Sequence, residues 1–428
     1  MADRRTLTDG CLVAAARRRL AARRDVRAAL AVARKSGEPV LLTGGAVRDA
    51  FLATLDPRRK PGPHRDLDLA LPAGRALRFA GELAARLGSR AIPIGAPPRR
   101  VLRIPLPQGE IDVWERESDS GRDLYRRDFT VNALAFRLPS WDFLAPASAL
   151  GDLRRRRLSL PRPGVLLEDP LRVLRAARFV AELPGFCLAS SAAPELRRAA
   201  ARLGAVAAER RLVELDALLS APPRERARAL RLLERAGALA RLLPGSRAAE
   251  RRIGISRAAR LPGSFPSVAR LLLLSPLGAR RAGEALRRWK TTRREQQIAS
   301  RLLALEAPPT ARCPAGPPTR REVVAILRLV SPFFEESFLF LSTLQGRRPV
   351  RLAAALAALV SDPSRRARLL RPRRPLDAVA ELRALGVEEG PRLGALLGEL
   401  DMAVAAGEVR DAAGARKLLA FLAGDAPR

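Results

Sequence analysis

The pattern of apolar and polar positions changes period near residue 160. Before that point, short apolar runs recur between turn signals. Pro39-Val40-Leu41-Leu42-Thr43 is one such run, ends at Gly44-Gly45 and reads as a buried strand. A helical pattern over about 24–36 precedes it, and a short helix through Leu52 follows it. Residues 56–65 are a Pro/Gly/Arg loop, 66–71 a second strand, 75–87 an amphipathic helix, and 101–105 and 110–114 two further β-rich stretches. From Glu168 onward the pattern is almost wholly helical, with Leu171, Leu174, Phe179 and Leu183 at helical spacing. Breaks at Pro194, Pro222-Pro223, Pro244-Gly245, Pro276 and Pro317-Pro318 punctuate further helices. The expected fold class is therefore α+β: a mixed sheet with helices, then an all-helical remainder. No repeat of fixed period appears. Boundaries are expected near 160 and 245, giving domains 22–160, 161–245 and 246–428.

Two features of the β-rich part carry chemistry. A glycine turn that leads from a strand into a helix offers bare backbone N–H groups to phosphate. Asp66 and Asp68 stand two apart on a strand, so they project to one side. Like charges so close raise each other's pKa unless a cation lies between them, and an oxygen-only site suits magnesium. Asp112, flanked by Ile111 and Val113, faces the opposite way from those apolar neighbours and is placed to join the pair. Metal-assisted chemistry on a phosphorylated substrate follows.

Composition narrows the partner. The 428-residue chain is 47% hydrophobic, enough for sizeable cores, and carries a formal net charge of +35. A surface so basic seeks polyanions, nucleic acid or anionic membrane. Nearly all the cations are arginine, with lysine only at Lys35, Lys60, Lys290 and Lys417. A GC-rich codon bias accounts for Arg in place of Lys, less well for the positive excess. Cys11, Cys187 and Cys313 form no CxxC pair, so no zinc site or disulfide framework is suggested and a reducing cytoplasm fits. The first residues lack a signal-peptide core, and arginines interrupt every long apolar run before the roughly 20 residues a membrane span needs. No membrane association is expected. His64, the only histidine, lies in the Pro/Arg-rich loop, which excludes His-pair, triad and His-metal catalysis. Aromatics are only 4%, so stacking platforms for single strands are disfavoured, and recognition of an A-form RNA stem by shape and backbone fits better.

Five fragments, in order, resemble the class II tRNA nucleotidyltransferases and bacterial poly(A) polymerases. They are Gly44-Gly45-Ala46-Val47-Arg48-Asp49 with Asp66-Leu67-Asp68; Arg126-Arg127-Asp128-Phe129-Thr130-Val131-Asn132-Ala133-Leu134-Ala135; Gly151-Asp152-Leu153; Glu168-Asp169-Pro170-Leu171-Arg172-Val173-Leu174-Arg175-Ala176-Ala177-Arg178-Phe179; and Glu209-Arg210-Arg211-Leu212-Val213-Glu214-Leu215. The resemblance covers about residues 25–245. It implies a polymerase-β-like nucleotidyltransferase head, a helical neck carrying the base-selecting motif, and a helical tRNA-binding body. It also implies two Mg2+ ions, CTP and ATP as substrates, and tRNA as partner. Nothing in it bears on oligomeric state.

Roles follow residue by residue. Asp66 and Asp68 are the expected metal ligands, with Asp112 the third catalytic carboxylate. Gly44, Gly45, Arg126 and Arg127 suit the triphosphate, the guanidinium gripping phosphate oxygens in pairs. Arg48 is grouped with them, although Arg48 and Asp49 also read as a pair holding the turn. The resemblance implies that Asp128 and Asn132 contact the ribose. It also implies that Asp169 and Arg172, read as three apart on one helical face, hydrogen-bond the Watson–Crick edge of the incoming base, with Arg175 supporting them. A carboxylate there accepts from the exocyclic amine that C and A share. Arg287, Arg288 and Lys290 are candidates for RNA phosphates, alongside clusters at Arg280-Arg281, Arg293-Arg294 and 365–374.

Three departures from the family pattern matter. The stretch between Asp112 and Arg126 is short; in the resembling family a longer loop there helps switch from C to A addition, and enzymes that add only CC lack it. Trp114-Glu115-Arg116 replaces the usual neutral run. A His/Asp-rich phosphohydrolase domain cannot exist with one histidine. Residues 94–101 only distantly echo the stretch typical of poly(A) polymerases. CCA or CC addition to tRNA therefore ranks first and poly(A) addition second. A catalytically idle RNA-binding protein on the same scaffold is the reading from another class.

Overall fold

The computed structural model describes residues 8–58, 66–95, 100–116, 120–304, 318–344 and 347–424. His64, Lys60, Cys313, most of the 56–65 loop, and parts of the 94–101 and 112–126 stretches lie outside the described residues. The chain gathers into two compact units. One comprises Met1–Val206 with Arg235–Arg241, and the other Ala207–Glu234 with Leu242–Arg428.

The first unit is built on a seven-stranded sheet. Its strands are β1 (Val40–Thr43), β2 (Leu67–Leu71), β3 (Ile92–Ile94), β4 (Val101–Leu106), β5 (Gly109–Glu115), β6 (Ala135–Leu138) and β7 (Asp142–Leu144), in spatial order β3-β4-β5-β2-β1-β6-β7. Every neighbouring pair is antiparallel except β2 with β5. Every residue of β1, near the middle, is buried, as its unbroken apolar run requires. Helices α1 (Asp9–Ala21), α2 (Arg24–Ser36), α3 (Gly45–Leu55) and α4 (Ala76–Leu87) pack around the sheet, α1 against α3 and α2 against α4. Val26, Ala29, Val32 and Ala33 make the buried stripe of α2, and Gly37, in the left-handed conformation at φ 69°, ends it. Beyond lie α5 (Ser120–Tyr125), α6 (Ala149–Arg155), α7 (Val165–Glu168), α8 (Arg172–Glu182) and α9 (Ala193–Ala200).

The expected strands and helices of residues 24–115 all form. The apolar pattern did not signal α1, β3 or the β6–β7 hairpin, whose Phe136, Trp141 and Phe143 cluster with Phe51 of α3. Among the described residues, the stretch after Glu168 is helical with one exception: Cys187–Leu188 pairs in parallel with Arg157–Leu158.

The second unit is helical throughout its described residues. Two arginines lie in its interior. Buried Arg270 pairs with Asp216 and Glu295. Buried Arg226 donates to the carbonyls of Ala221, Ala258, Leu261 and Gly263, and desolvation lowers its pKa to about 10. A separate apolar cluster near the C-terminus is centred on Leu382, Leu400, Ala415 and Leu419.

Candidate active site

Strand register brings the acidic residues together. Thr43 of β1 stands opposite Asp68 of β2, Asp68 opposite Asp112 of β5, and Asp112 opposite Arg103 of β4. Alternation puts the intervening Leu67, Leu69, Ile111, Val113, Leu102 and Ile104 on the other face, where all are buried. Asp66, one residue ahead of β2, and Glu110 of β5 share the acidic face, and Asp66 Oδ1 accepts from the Glu110 amide at 3.2 Å. Sequence reasoning found Asp66, Asp68 and Asp112 by alternation. It missed Glu110 and Arg103, whose place depends on which strands pair.

Asp68 lies at the N-terminus of α3. The Gly45 amide hydrogen-bonds it, and Gly44 makes room for it. Gly44 has φ 79°, and a Cβ there would lie 1.9 Å from Asp68 Oδ2, so both the backbone conformation and the space demand glycine. Burial pushes the Asp68 carboxyl above the ordinary aspartate range. Arg127 pulls it down, while Asp112 and Asp66 push it further up and the Gly45 amide lowers it. Glu110 is likewise raised, by burial first and by Asp112, Asp66 and Asp68, against the pull of Arg103.

These carboxylates are oxygen donors with excess negative charge, which suits a hard divalent cation. Among the described residues no group of three His, Cys, Asp or Glu side chains is disposed to hold a metal ion. Asp112 is engaged by a neighbouring arginine. Its Oδ1 and Oδ2 accept from Arg103 Nε and Nη2, each at 2.9 Å. The donor set available is thus the pair Asp66 and Asp68, which matches magnesium's habit of taking one or two carboxylates and filling its other positions with phosphate and water.

Arg127 flanks this face, stacked 5.7 Å from the Trp114 ring centroid and ion-paired to Asp123 at 3.3 Å. Arg126 is exposed. Arg48 lies beneath the glycine turn, 3% exposed, rather than over it. Its Nε donates to Asp49 Oδ1 at 3.0 Å and its Nη1 to Asn132 Oδ1 at 2.8 Å, which is the turn-holding role. Asn132 Nδ2 donates in turn to Asp128 Oδ1 at 3.0 Å, and Arg175 Nε to Asp128 Oδ2 at 2.9 Å. Burial raises the Asp128 carboxyl, but Arg175, Asn132 and the Phe129 amide outweigh it and hold it below the ordinary range. Asp128 and Asn132, expected at the ribose, therefore have these polar atoms engaged within a buried network.

One expectation about the base-selecting pair is corrected. Asp169 is not on the helix with Arg172. It is extended, at φ −135° and ψ 97°, between α7 and α8. The cause is Pro170, whose ring disfavours helical backbone at the preceding residue. Asp169 Oδ1 accepts from the Leu171 amide at 3.1 Å. Arg172, the first residue of α8, donates from Nη1 to the Val165 carbonyl at 2.8 Å and from Nη2 to the Arg126 carbonyl at 2.7 Å. Buried Glu195 of α9 fastens that loop by accepting from the Gly164 and Leu166 amides at 2.9 and 2.7 Å. Nothing local in the sequence marks Glu195 for this task.

In the second unit, Arg287, Arg288 and Lys290 are exposed, and Lys290 Nζ pairs with Glu209 at 2.6 Å. Trp289 between them is buried and donates to the Leu242 carbonyl at 3.2 Å, so it belongs to the core.

No family model matches the chain. Among curated proteins, it is 37% identical over 182 residues to the CC-adding tRNA nucleotidyltransferase of Synechocystis sp., covering 42% of this chain and 42% of that protein. It is 36% identical over 208 residues to the A-adding tRNA nucleotidyltransferase of Deinococcus radiodurans, covering 47% and 44%. The chain thus matches less than half the length of these relatives. Among solved structures, the Thermotoga maritima CCA-adding enzyme complexed with tRNA has a similar fold, with a TM-score of 0.62 at 20% identity over 92% of this chain and 94% of that one. The chain is thus similar in sequence, over less than half of its length, to tRNA nucleotidyltransferases, and similar in fold, over most of its length, to a CCA-adding enzyme.

Proposed function

We propose that this chain adds nucleotides from CTP, and in the full CCA reading also from ATP, to the 3′ end of tRNA. The observation that carries the reading is the placement of Asp68: raised in pKa, beside Asp66, against the Gly44-Gly45 turn and facing Arg127. In the reaction, the RNA 3′-hydroxyl oxygen attacks the α-phosphorus. A new phosphodiester bond forms, the bond to the β-phosphate oxygen breaks, and pyrophosphate and the hydroxyl proton leave. Magnesium held by Asp66 and Asp68 would acidify that hydroxyl and neutralise charge on the triphosphate. The turn amides other than that of Gly45, which Asp68 holds, and Arg127 bind phosphate oxygens, and exposed Arg126 adds a second guanidinium. Arg48, Asn132, Asp128 and Arg175 keep the turn and the start of α8 in fixed relation. Asp169 and Arg172 read the base edge, the latter oriented by the two carbonyls it is bound to.

Residues 22–160 act as catalytic head, 161–245 as neck and 246–428 as the body that meets tRNA, with Arg287, Arg288 and Lys290 on its cationic surface. The work is done where tRNA is made and repaired, in the cytoplasm. The short segment from Asp112 to Arg126 favours the narrower variant, addition of CC alone.

The test offers the purified chain three RNAs: tRNA lacking its terminal CCA, tRNA ending in CC, and an unstructured RNA, with each nucleoside triphosphate in turn. Incorporation of C into the first is expected. A on the second separates CCA from CC addition, and long A tails on the unstructured RNA overturn the tRNA reading.

A further inference from the structure

Arg103 makes three charge-assisted contacts at the edge of the acidic face. Nε and Nη2 take the two oxygens of Asp112 as a fork, each at 2.9 Å, and Nη2 also reaches Glu110 Oε1 at 2.9 Å. The fork is set by register, since Arg103 and Asp112 are cross-strand partners. Asp112 is in turn the cross-strand partner of Asp68. A guanidinium does not deprotonate in a protein, so this counter-charge persists at every working pH. Nothing assigned to the site so far requires it: phosphate would be gripped by Arg126 and Arg127, and Arg103 faces carboxylates.

We infer that Arg103 is a positioning residue that withholds Asp112 and Glu110 from the divalent cation, leaving Asp66 and Asp68 as its only carboxylate ligands. The inference rests on the metal reading proposed above. Its consequence is functional. An ion held by two carboxylates keeps coordination positions for triphosphate oxygens and water, so metal loading becomes coupled to nucleotide arrival. Four carboxylates freed to close on the ion would hold it without nucleotide.

The test is binding of Mn2+ to the full chain without nucleotide, followed by electron paramagnetic resonance of the free ion. Wild type is expected to bind weakly, to lose that binding in Asp68→Asn, and to change less than about twofold in Asp112→Asn, because that carboxylate is already spoken for. Arg103→Gln is expected to bind on the order of tenfold more tightly, the effect of removing one nearby like charge and freeing a ligand. The gain should vanish in Arg103→Gln/Asp112→Asn, a coupling that general loosening of the sheet would not produce. Arg103→Lys, which keeps the charge but not the fork, should show a smaller gain and guards against a Gln variant that fails to fold. If Arg103→Gln and Arg103→Lys bind as wild type does, or if Asp112→Asn alone weakens binding as much as Asp68→Asn, the inference is wrong while the metal reading stands. Binding that survives Asp68→Asn undiminished overturns the metal reading itself.

Discussion

Half-buried Asp68 and buried Asp128 are carboxylates of the same unit, and their surroundings push them in opposite directions. Asp68 has one amide, a nearby arginine and two neighbouring acids, and its pKa is raised. Asp128 has an ion-paired arginine, an asparagine and an amide, and its pKa is lowered. The difference separates two uses of a desolvated carboxylate. Asp128 is complete within the protein and holds other groups in place. Asp68 is under-compensated, and in the proposed function the bound cation supplies the remaining positive charge. Replacing each should therefore have opposite signatures.

The largest expected effect is on chemistry. Asp68→Ala should lower nucleotide incorporation on the order of 10³-fold, about 4 kcal/mol in the barrier, while tRNA retention on filters is unchanged. Near-normal turnover by this variant would erase the functional half of the contrast. Next comes the structural half. Arg175→Ala leaves Asp128 buried without its cation and should cost about 3–5 kcal/mol in urea unfolding. Adding Asp128→Asn should recover part of that loss, because the orphaned charge is gone. If the single and double variants are equally destabilised, Arg175 acts through packing on Phe179, whose ring centroid lies 5.4 Å away, and not through Asp128.

Gly44→Ala tests the contact between turn and acid. The left-handed backbone at φ 79° and the 1.9 Å approach to Asp68 Oδ2 both penalise a side chain. A cost of about 1–3 kcal/mol is expected, with incorporation lost beyond what that instability explains. A variant as stable and as active as wild type would mean that the turn moves freely away from Asp68.

What the sequence reveals about this contrast depends on distance along the chain. The glycine turn, the Asp-x-Asp alternation and the amphipathic helices are local, so turn chemistry and period suffice to read them. Asp112 could be aimed by alternation, but its clamp by Arg103 depends on β4 pairing with β5 in one register, which no local pattern states. The same holds for Glu195 supporting the loop before Arg172, across some thirty residues. Asp169 is a different case. Pro170 signals locally that the residue before it leaves the helix, and that signal outweighs the helical spacing of Asp169 and Arg172. The short β6–β7 hairpin escaped because its runs are only four and three residues long.

The smallest effect is the most direct comparison of the two acids, the pH dependence of folding stability. A carboxyl raised in the folded state binds its proton more tightly there than in the unfolded chain. Asp68 thus lowers stability as pH climbs from the unfolded carboxylate value through its raised folded one. Asp128 does the reverse, supplying stability above the unfolded value that disappears as pH falls through its lowered one. Asparagine mimics the neutral form. Metal-free Asp68→Asn should match wild type in strong acid and become the more stable of the two toward neutrality, whereas Asp128→Asn should be the less stable at neutrality and converge on wild type in acid. Magnesium should then narrow the first gap by stabilising wild type alone, since only the ionised acid binds it. A neutral-pH loss of stability in Asp68→Asn would show that Arg127 and the Gly45 amide already balance this charge, and the distinction between a completed and an uncompleted carboxylate would fall.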